Sequence, residues 1–170
     1  MPIRVDAYIA TGVASGVLAD GVHLHDALEG PTELPLRDVS WQALDGGPPG
    51  PAEDVAIPVD DVLVAVGDDD PPVPVHASWH ALRLEAGPYV VEGEMPTLPG
   101  YDPGRALTRP SGEFVLLRDV RIARRETPGP AVPIGRQAWV NRYGVERVGA
   151  DILLGFYFPG AALDGPAPPG

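Results

Sequence analysis

Apolar and polar residues alternate at the start of the chain, where Ile3, Val5 and Ala7 are each followed by a polar or aromatic residue. This period of two is typical of a strand with one buried face. A turn around Gly12 and a second strand over Val13–Leu18 complete a predicted β-hairpin. The other elements predicted for this half are a helical turn, a long strand and a strand-turn-strand segment: His23–Glu29, Leu34–Leu44 and Val55–Val66.

The second half of the chain predicts the same order of elements. Gly87-Pro88 forms the turn of a hairpin whose return strand is Tyr89–Met95. Asp102-Pro103 has the residue types of a helix N-cap and first helical position. A long strand and a strand-turn-strand segment complete the order, over Phe114–Ala123 and Ala138–Val148. Because no long amphipathic helix is predicted, the expected class is all-β.

Short sequence matches connect the two halves. The tetrapeptide Leu-Arg-Asp-Val occurs at residues 36–39 and again at 117–120, an offset of 81 residues. Further matches lie at similar offsets: Ala27-Leu28 with Ala106-Leu107, Gly16 with Gly93, and Val62 with Val145. These matches predict a duplicated unit of roughly 80 residues. Because both halves contain it, the Arg-Asp pair is expected to serve the fold, at a bend of a strand.

The predicted fold is two tandem homologous small barrel-like units, each with a short helical turn, packed with pseudo-two-fold symmetry. In a variant of this prediction, the two copies interleave into one larger barrel or sandwich. An acidic and proline-rich boundary divides the chain into units at residues 1–70 and 71–160. The second unit has an extra aromatic strand, Ile152–Phe158, and residues 161–170 are expected to form a disordered tail.

Each half contains the elements G-x-L, a D-x-L helical turn, LPL-x-DV and, near its end, V-N-x-x-x-V, in whole or in part. In these motifs the chain resembles uncharacterised bacterial small β-barrel domains. The order of its elements is similar to that of Sm-like and SH3-like barrels. An Sm-like barrel would imply RNA binding. The motifs mark core and turn positions, so the resemblance transfers neither a function nor a site residue.

Composition and charge narrow the possible partners. Cysteine is absent, which excludes disulfides and thiolate metal sites. No apolar run has the length of a membrane span and the first residues lack a signal peptide, so a cytoplasmic location without membrane contact is expected. Residues 1–70 contain fourteen Asp and Glu against two Arg and carry the whole net charge of −12. This acidity argues against nucleic-acid binding.

Two histidine pairs are candidate metal ligands. His23, His25 and Asp26 could chelate an ion if the histidines lay on one face of a strand, whereas on a helical turn they point in different directions. The aligned positions of the second half have no histidine, so the fold does not require these side chains. His76 and His80 would be roughly 13 Å apart on a strand, too far to share an ion.

The densest basic stretch comprises four arginines: Arg118, Arg121, Arg124 and Arg125. Their guanidinium groups could bind an anion or an acidic partner. Alternatively, they pair with Asp119, Glu126 or the acidic first unit, or across subunits. The first unit has no such stretch, since Ser40 and Trp41 follow its own Arg-Asp-Val.

No nucleophile elbow, phosphate-binding loop, dinucleotide-binding motif or zinc-protease motif occurs in the chain. We therefore expect a non-catalytic binding or scaffold protein that needs no cofactor and associates with itself or with a protein partner. Charge asymmetry and the unmatched aromatic strand favour the self-association. A metal-dependent enzyme using His23, His25 and Asp26 is the alternative. Nucleic-acid binding through Arg118–Arg125 and Arg142 ranks third.

Overall fold

The computed structural model describes residues 2–68, 78–97, 113–126, 132–133, 137–149 and 158–163. The chain divides into two compact units, Met1–Pro71 (unit 1) and Pro72–Gly170 (unit 2), and each is treated by itself below. Almost all regular structure in the described residues is β-strand, which confirms the all-β class. No helix among these residues is long and apolar enough to cross a membrane.

Unit 1 is an antiparallel sheet of five strands in the order β5-β1-β2-β3-β4. Its elements are β1 (Arg4–Ile9), β2 (Gly12–Val17), α1 (Leu24–Leu28), β3 (Glu33–Ala43), β4 (Glu53–Pro58), a 3-10 turn (Val59–Asp61) and β5 (Val64–Gly67). The helical turn predicted at His23–Glu29 is confirmed as α1, whose Leu24, Ala27 and Leu28 are buried.

Unit 2 has a sheet with the order β12-β11-β6-β7-β8-β10, and β9 pairs with the remaining part of β8. Its elements are β6 (Ser78–Ala86), β7 (Tyr89–Thr97), β8 (Phe114–Arg124), β9 (Val132–Pro133), β10 (Ala138–Asn141), a 3-10 turn (Arg142–Gly144), β11 (Val145–Gly149) and β12 (Ala162–Leu163). Apart from the short β9 and β12, the order β11-β6-β7-β8-β10 follows the same path as the sheet of unit 1.

A β-bulge lies at the shared tetrapeptide in each unit. In β3 the register shifts between the pairs Ser15–Ser40 and Val17–Arg37, so that two residues oppose Gly16. Asp38 adopts a left-handed backbone with φ of 51°, which Asp tolerates better than most residues.

Gly16 itself is required by the close approach of the bulge. A Cβ there would lie 2.9 Å from the Arg37 carbonyl oxygen and 2.9 Å from Val39 Cγ2. Gly93 and Asp119, with φ of 52°, take the same places in unit 2.

The described strands do not close into a barrel, which corrects the predicted barrel-like units. In each unit the strand before the 3-10 turn and the strand after it lie at opposite ends of the five-strand order that the units share. Within the described residues no ladder joins β4 to β5 or β10 to β11. Alternation of apolar residues indicates strands but does not indicate whether the two outer strands pair with each other. The barrel was therefore predicted from the order of the elements alone.

Some predicted elements fall outside the described residues: the helical turn at Asp102-Pro103, residues 152–157 of the aromatic strand, and residues 164–170 of the tail. Phe158, at the end of the aromatic strand, is buried. The predicted disordered tail instead begins with β12, because the backbone of Ala162–Leu163 pairs in parallel with β11.

Candidate ligand-binding pocket

An open apolar pocket of about 330 Å³ lies on one face of the unit 1 sheet. The described residues that line it belong to unit 1: Ile9, Ala14, Val39, Trp41, Gly50, Pro51, Glu53, Val55 and Ile57. This volume is at the lower end of the range for small-molecule sites. The pocket is therefore large enough for a small ligand or for one bulky side chain.

The bulge in β3 places two of the lining side chains. Before the bulge, Leu34 and Leu36 are buried, whereas after it the buried residue is Val39, at an odd position. One extra residue in a strand exchanges its two faces. Val39 and Trp41 consequently lie on the core side of the sheet, and both line the pocket.

Ala14 on β2 forms the floor of the pocket. Ala14 is 2% exposed and pairs with Trp41 across the strands. Gly12 is required beside them, because a Cβ there would overlap the Gln42 carbonyl oxygen and lie 2.9 Å from Trp41 Cζ2. The indole ring therefore occupies the space that a larger residue at position 12 would need.

The loop between β3 and β4 contributes one wall, Gly50 and Pro51. Its first part is fixed by hydrogen bonds, since the Leu44 amide donates to the Thr11 carbonyl at 3.1 Å. The Gly47 amide donates to Asp45 Oδ1 at 2.9 Å in an Asx turn. The start of the loop that carries this wall is thus anchored to the β1–β2 hairpin.

Glu53 is the one charged residue among the described residues that line the pocket. It is exposed, and no basic group in the described part of the chain forms an ion pair with it. The pocket therefore combines apolar side chains, one aromatic ring and one carboxylate.

The structure places the predicted metal ligands on or beside α1. His23 is the N-cap residue and is exposed, Asp26 is exposed, and His25 Nε2 lies 3.8 Å from Glu29 Oε1. Among the residues that the structure describes, no three His, Cys, Asp or Glu side chains are close enough to hold a metal ion. His80 lies in β6, and His76 lies outside the described residues.

Two of the four predicted anion-binding arginines are held by acidic or aromatic neighbours. Arg118 Nε donates to Glu94 Oε1 at 3.1 Å, and its Cζ lies 3.8 Å from the centroid of the Trp79 ring. Arg125 Nη1 lies 2.8 Å from Glu146 Oε2, and its Nη2 lies 3.5 Å from Glu85 Oε2.

The other two arginines of this stretch, Arg121 and Arg124, are exposed on β8. Arg121 pairs across the strands with Glu92, whose carboxylate also lies 3.9 Å from Arg83 Nε. Acidic side chains of neighbouring strands thus offset part of the positive charge of this arginine stretch.

No protein-family model matches the chain, and no curated protein or solved structure is significantly similar to it. The candidate site consequently rests on the geometry of unit 1 alone.

The pocket residues were not among the site residues predicted from the sequence. In the sequence, Trp41 stands out only as a residue that follows Arg-Asp-Val, and neither Ala14 nor Glu53 carries a signal of its own. A signal was present in the differences between the halves: the first strand residue after each hairpin turn is Gly12 in one and Tyr89 in the other. Small residues at these positions of unit 1 are therefore the sequence difference that accompanies its pocket.

Proposed function

We propose that the chain is a non-catalytic binding protein whose ligand site is the apolar pocket of unit 1. The observation that carries this proposal is a pocket of about 330 Å³ walled by apolar side chains on a sheet. Of the lining residues that the structure describes, Glu53 alone is ionisable. Among the described lining residues no second ionisable or nucleophilic side chain accompanies Glu53, which is itself exposed, and this favours binding over acid–base or nucleophilic chemistry.

A neutral apolar probe, 2-naphthylmethanol, tests this proposal in the full chain by calorimetry and by NMR of the Trp indole protons. We expect binding that perturbs the Trp41 signal, which a Trp41→Phe variant assigns. Ala14→Leu adds three carbon atoms to the pocket floor and should weaken binding about tenfold, since contact equivalent to about two methylene groups is lost.

Ala56→Leu is the matched control, because Ala56 is exposed on β4 between the lining residues Val55 and Ile57. It should leave the affinity for the probe unchanged. Absence of binding, or equal affinity in both leucine variants, would overturn the proposed site.

We also propose that the two units arose by duplication of one β unit, as the sequence matches predict. Three similarities support this proposal: the strand order, the bulge with a left-handed Asp, and the 3-10 turn that connects the two outer strands of the shared order. Backbone hydrogen bonds agree as well, since the Val59 amide donates to the Thr32 carbonyl and the Arg142 amide to the Glu113 carbonyl. Thr32 and Glu113 are separated by 81 residues, the offset of the Leu-Arg-Asp-Val match. Val59 and Arg142 are separated by 83 residues, the offset between Val62 and Val145.

Self-association and a cytoplasmic location remain predictions from the sequence. The uneven charge of the two halves motivates the first, and light scattering at micromolar concentration in low and high salt tests it. A single species of monomer mass under both conditions would contradict it. The metal-dependent alternative gains no support from the positions of His23, His25 and Asp26, and elemental analysis of protein purified without chelator tests it directly.

A further inference from the structure

We infer that the ligand of this pocket is a small organic cation, an amine with an apolar body; this rests on the pocket being a ligand site, as proposed above. The first support is the lining itself. Trp41 offers an aromatic ring, and Glu53 offers a carboxylate that no described basic group pairs with. An aromatic face attracts a cation by its quadrupole, and a carboxylate attracts it by charge.

The second support is the charge of the surrounding unit. Residues 1–70 carry fourteen acidic residues against Arg4 and Arg37. Neither arginine lines the pocket, and the Arg37 guanidinium donates to the Leu18 carbonyl at 3.3 Å. A field of one sign around a concave apolar site raises the local concentration of oppositely charged ligands and disfavours anions.

The third support is the scarcity of polar side chains among the described lining residues. Apart from Glu53, the lining residues within the described ranges are aliphatic, aromatic or glycine. A ligand rich in hydroxyl or carboxylate groups would lose its hydration without gaining partners on these walls. An apolar body with a single amino group matches the single polar position.

A pair of probes of equal shape separates charge from apolar contact: 2-naphthylmethylamine and 2-naphthylmethanol, titrated into the full chain by calorimetry at pH 7. We expect the amine to bind about tenfold more tightly in low salt, from one solvent-exposed charge pair and one cation–π contact. In Glu53→Gln the preference should fall to about threefold or less, and added salt should reduce it in the wild-type chain.

Glu33→Gln is the matched control, because Glu33 is an exposed acidic residue of β3 that does not line the pocket, and its substitution changes the net charge equally. It should preserve the preference for the amine. Equal affinity of both probes would overturn the cation assignment while leaving the pocket as a ligand site. An amine preference that survives Glu53→Gln would overturn the role of Glu53. If neither probe binds, the proposed function fails and the inference fails with it.

Discussion

Units 1 and 2 follow one strand order but fill matching positions with different residues. After each two-residue hairpin turn the first strand residue is Gly12 in unit 1 and Tyr89 in unit 2, where Tyr89 is 2% exposed. Two residues later stand Ala14 and Val91, both buried. Larger side chains thus occupy in unit 2 the positions of Ala14, which lines the pocket in unit 1, and of Gly12, which lies against the Trp41 ring.

A second difference concerns charge. Tyr8 and Glu85 occupy matching places, one residue before the end of the first hairpin strand. The Glu85 carboxylate lies within 4.0 Å of three arginines: Arg83, Arg125 and Arg147. The units therefore share a strand order and differ in the size and charge of the side chains at matching positions. A binding site is expected at the positions where they differ.

A third difference lies in the 3-10 turns. Val59 and Arg142 begin them, and both are buried, at 3% and 2% exposure. The Asn141 side chain also accepts a hydrogen bond from the Tyr143 amide at 3.0 Å, a cap that Pro58 does not provide in unit 1. One backbone path accepts an apolar residue in one unit and an arginine in the other, so the residue type at this turn is not dictated by the fold.

The largest expected effect comes from adding a methyl group at the bulge. At Gly16 a Cβ would meet the Arg37 carbonyl oxygen at 2.9 Å, whereas at Gly93 the nearest atom, the Arg118 carbonyl oxygen, is 3.1 Å away. We expect Gly16→Ala to lower the free energy of unfolding by about 2–3 kcal/mol and Gly93→Ala by about 1 kcal/mol. Urea titration of the full chain measures both.

Gly50→Ala is the control for this pair, because no atom lies within 4 Å of a Cβ at position 50. It should change the free energy of unfolding by less than about 0.5 kcal/mol. A larger loss for Gly93→Ala than for Gly16→Ala would show that the bulge of unit 2 is the tighter one, contrary to the structure.

A smaller effect is expected from the charge cluster of unit 2. Glu85→Gln leaves three arginines without their shared carboxylate, whose side chain is 17% exposed. We expect a loss of about 1–2 kcal/mol in the free energy of unfolding, and less in 1 M salt. Glu92→Gln is the matched control, since Glu92 is 49% exposed and contacts Arg83 at 3.9 Å, and it should cost about 0.5 kcal/mol or less. Equal losses would contradict a central role for Glu85.

The left-handed aspartates test whether the two bulges are equivalent. Replacing Asp38 or Asp119 by Ala should cost about 1 kcal/mol in each unit, because alanine is disfavoured at positive φ. Replacing either by Gly should cost less, since glycine adopts this conformation freely. Chemical denaturation of the four variants measures the differences. If Gly and Ala cost the same at one site, side-chain contacts rather than backbone conformation maintain that bulge.

The smallest effect concerns alkaline pH. Burial raises the pKa of Tyr8 above its ordinary value of 10.0, and the Asp6 carboxylate raises it further. The folded state therefore holds this proton when the unfolded state has lost it. The contribution of Tyr8 to stability is complete below pH 10 and is lost as the pH rises through the folded pKa.

Tyr8→Phe should consequently reduce the fall in the free energy of unfolding above pH 10, measured by urea titration at several pH values. Tyr143→Phe, at a tyrosine that is 57% exposed, is the matched control. An unchanged pH slope in Tyr8→Phe would contradict the role of this phenol.

The elements that depend on local patterns were predictable from the sequence. The hairpins, the long strands β3 and β8 and the helix α1 follow from alternation and turn residues, and the Leu-Arg-Asp-Val tetrapeptide indicated the strand bend. Barrel closure was not predictable, since it depends on pairing between residues far apart in the chain. The pocket was missed because it depends on Gly12, Ala14 and Trp41 meeting across strands, which requires the register.

The pairing of Gly16 with the bulge at Asp38 also specifies how β2 and β3 must align during folding. A slip by one residue would place Ser15 or Val17 against the Arg37 carbonyl, where no Cβ fits. The same slip would turn the apolar face of one strand toward water. A slip by one residue is thus penalised twice, by steric overlap and by solvent exposure, and Gly16 helps to specify how the hairpin pairs with its neighbouring strand.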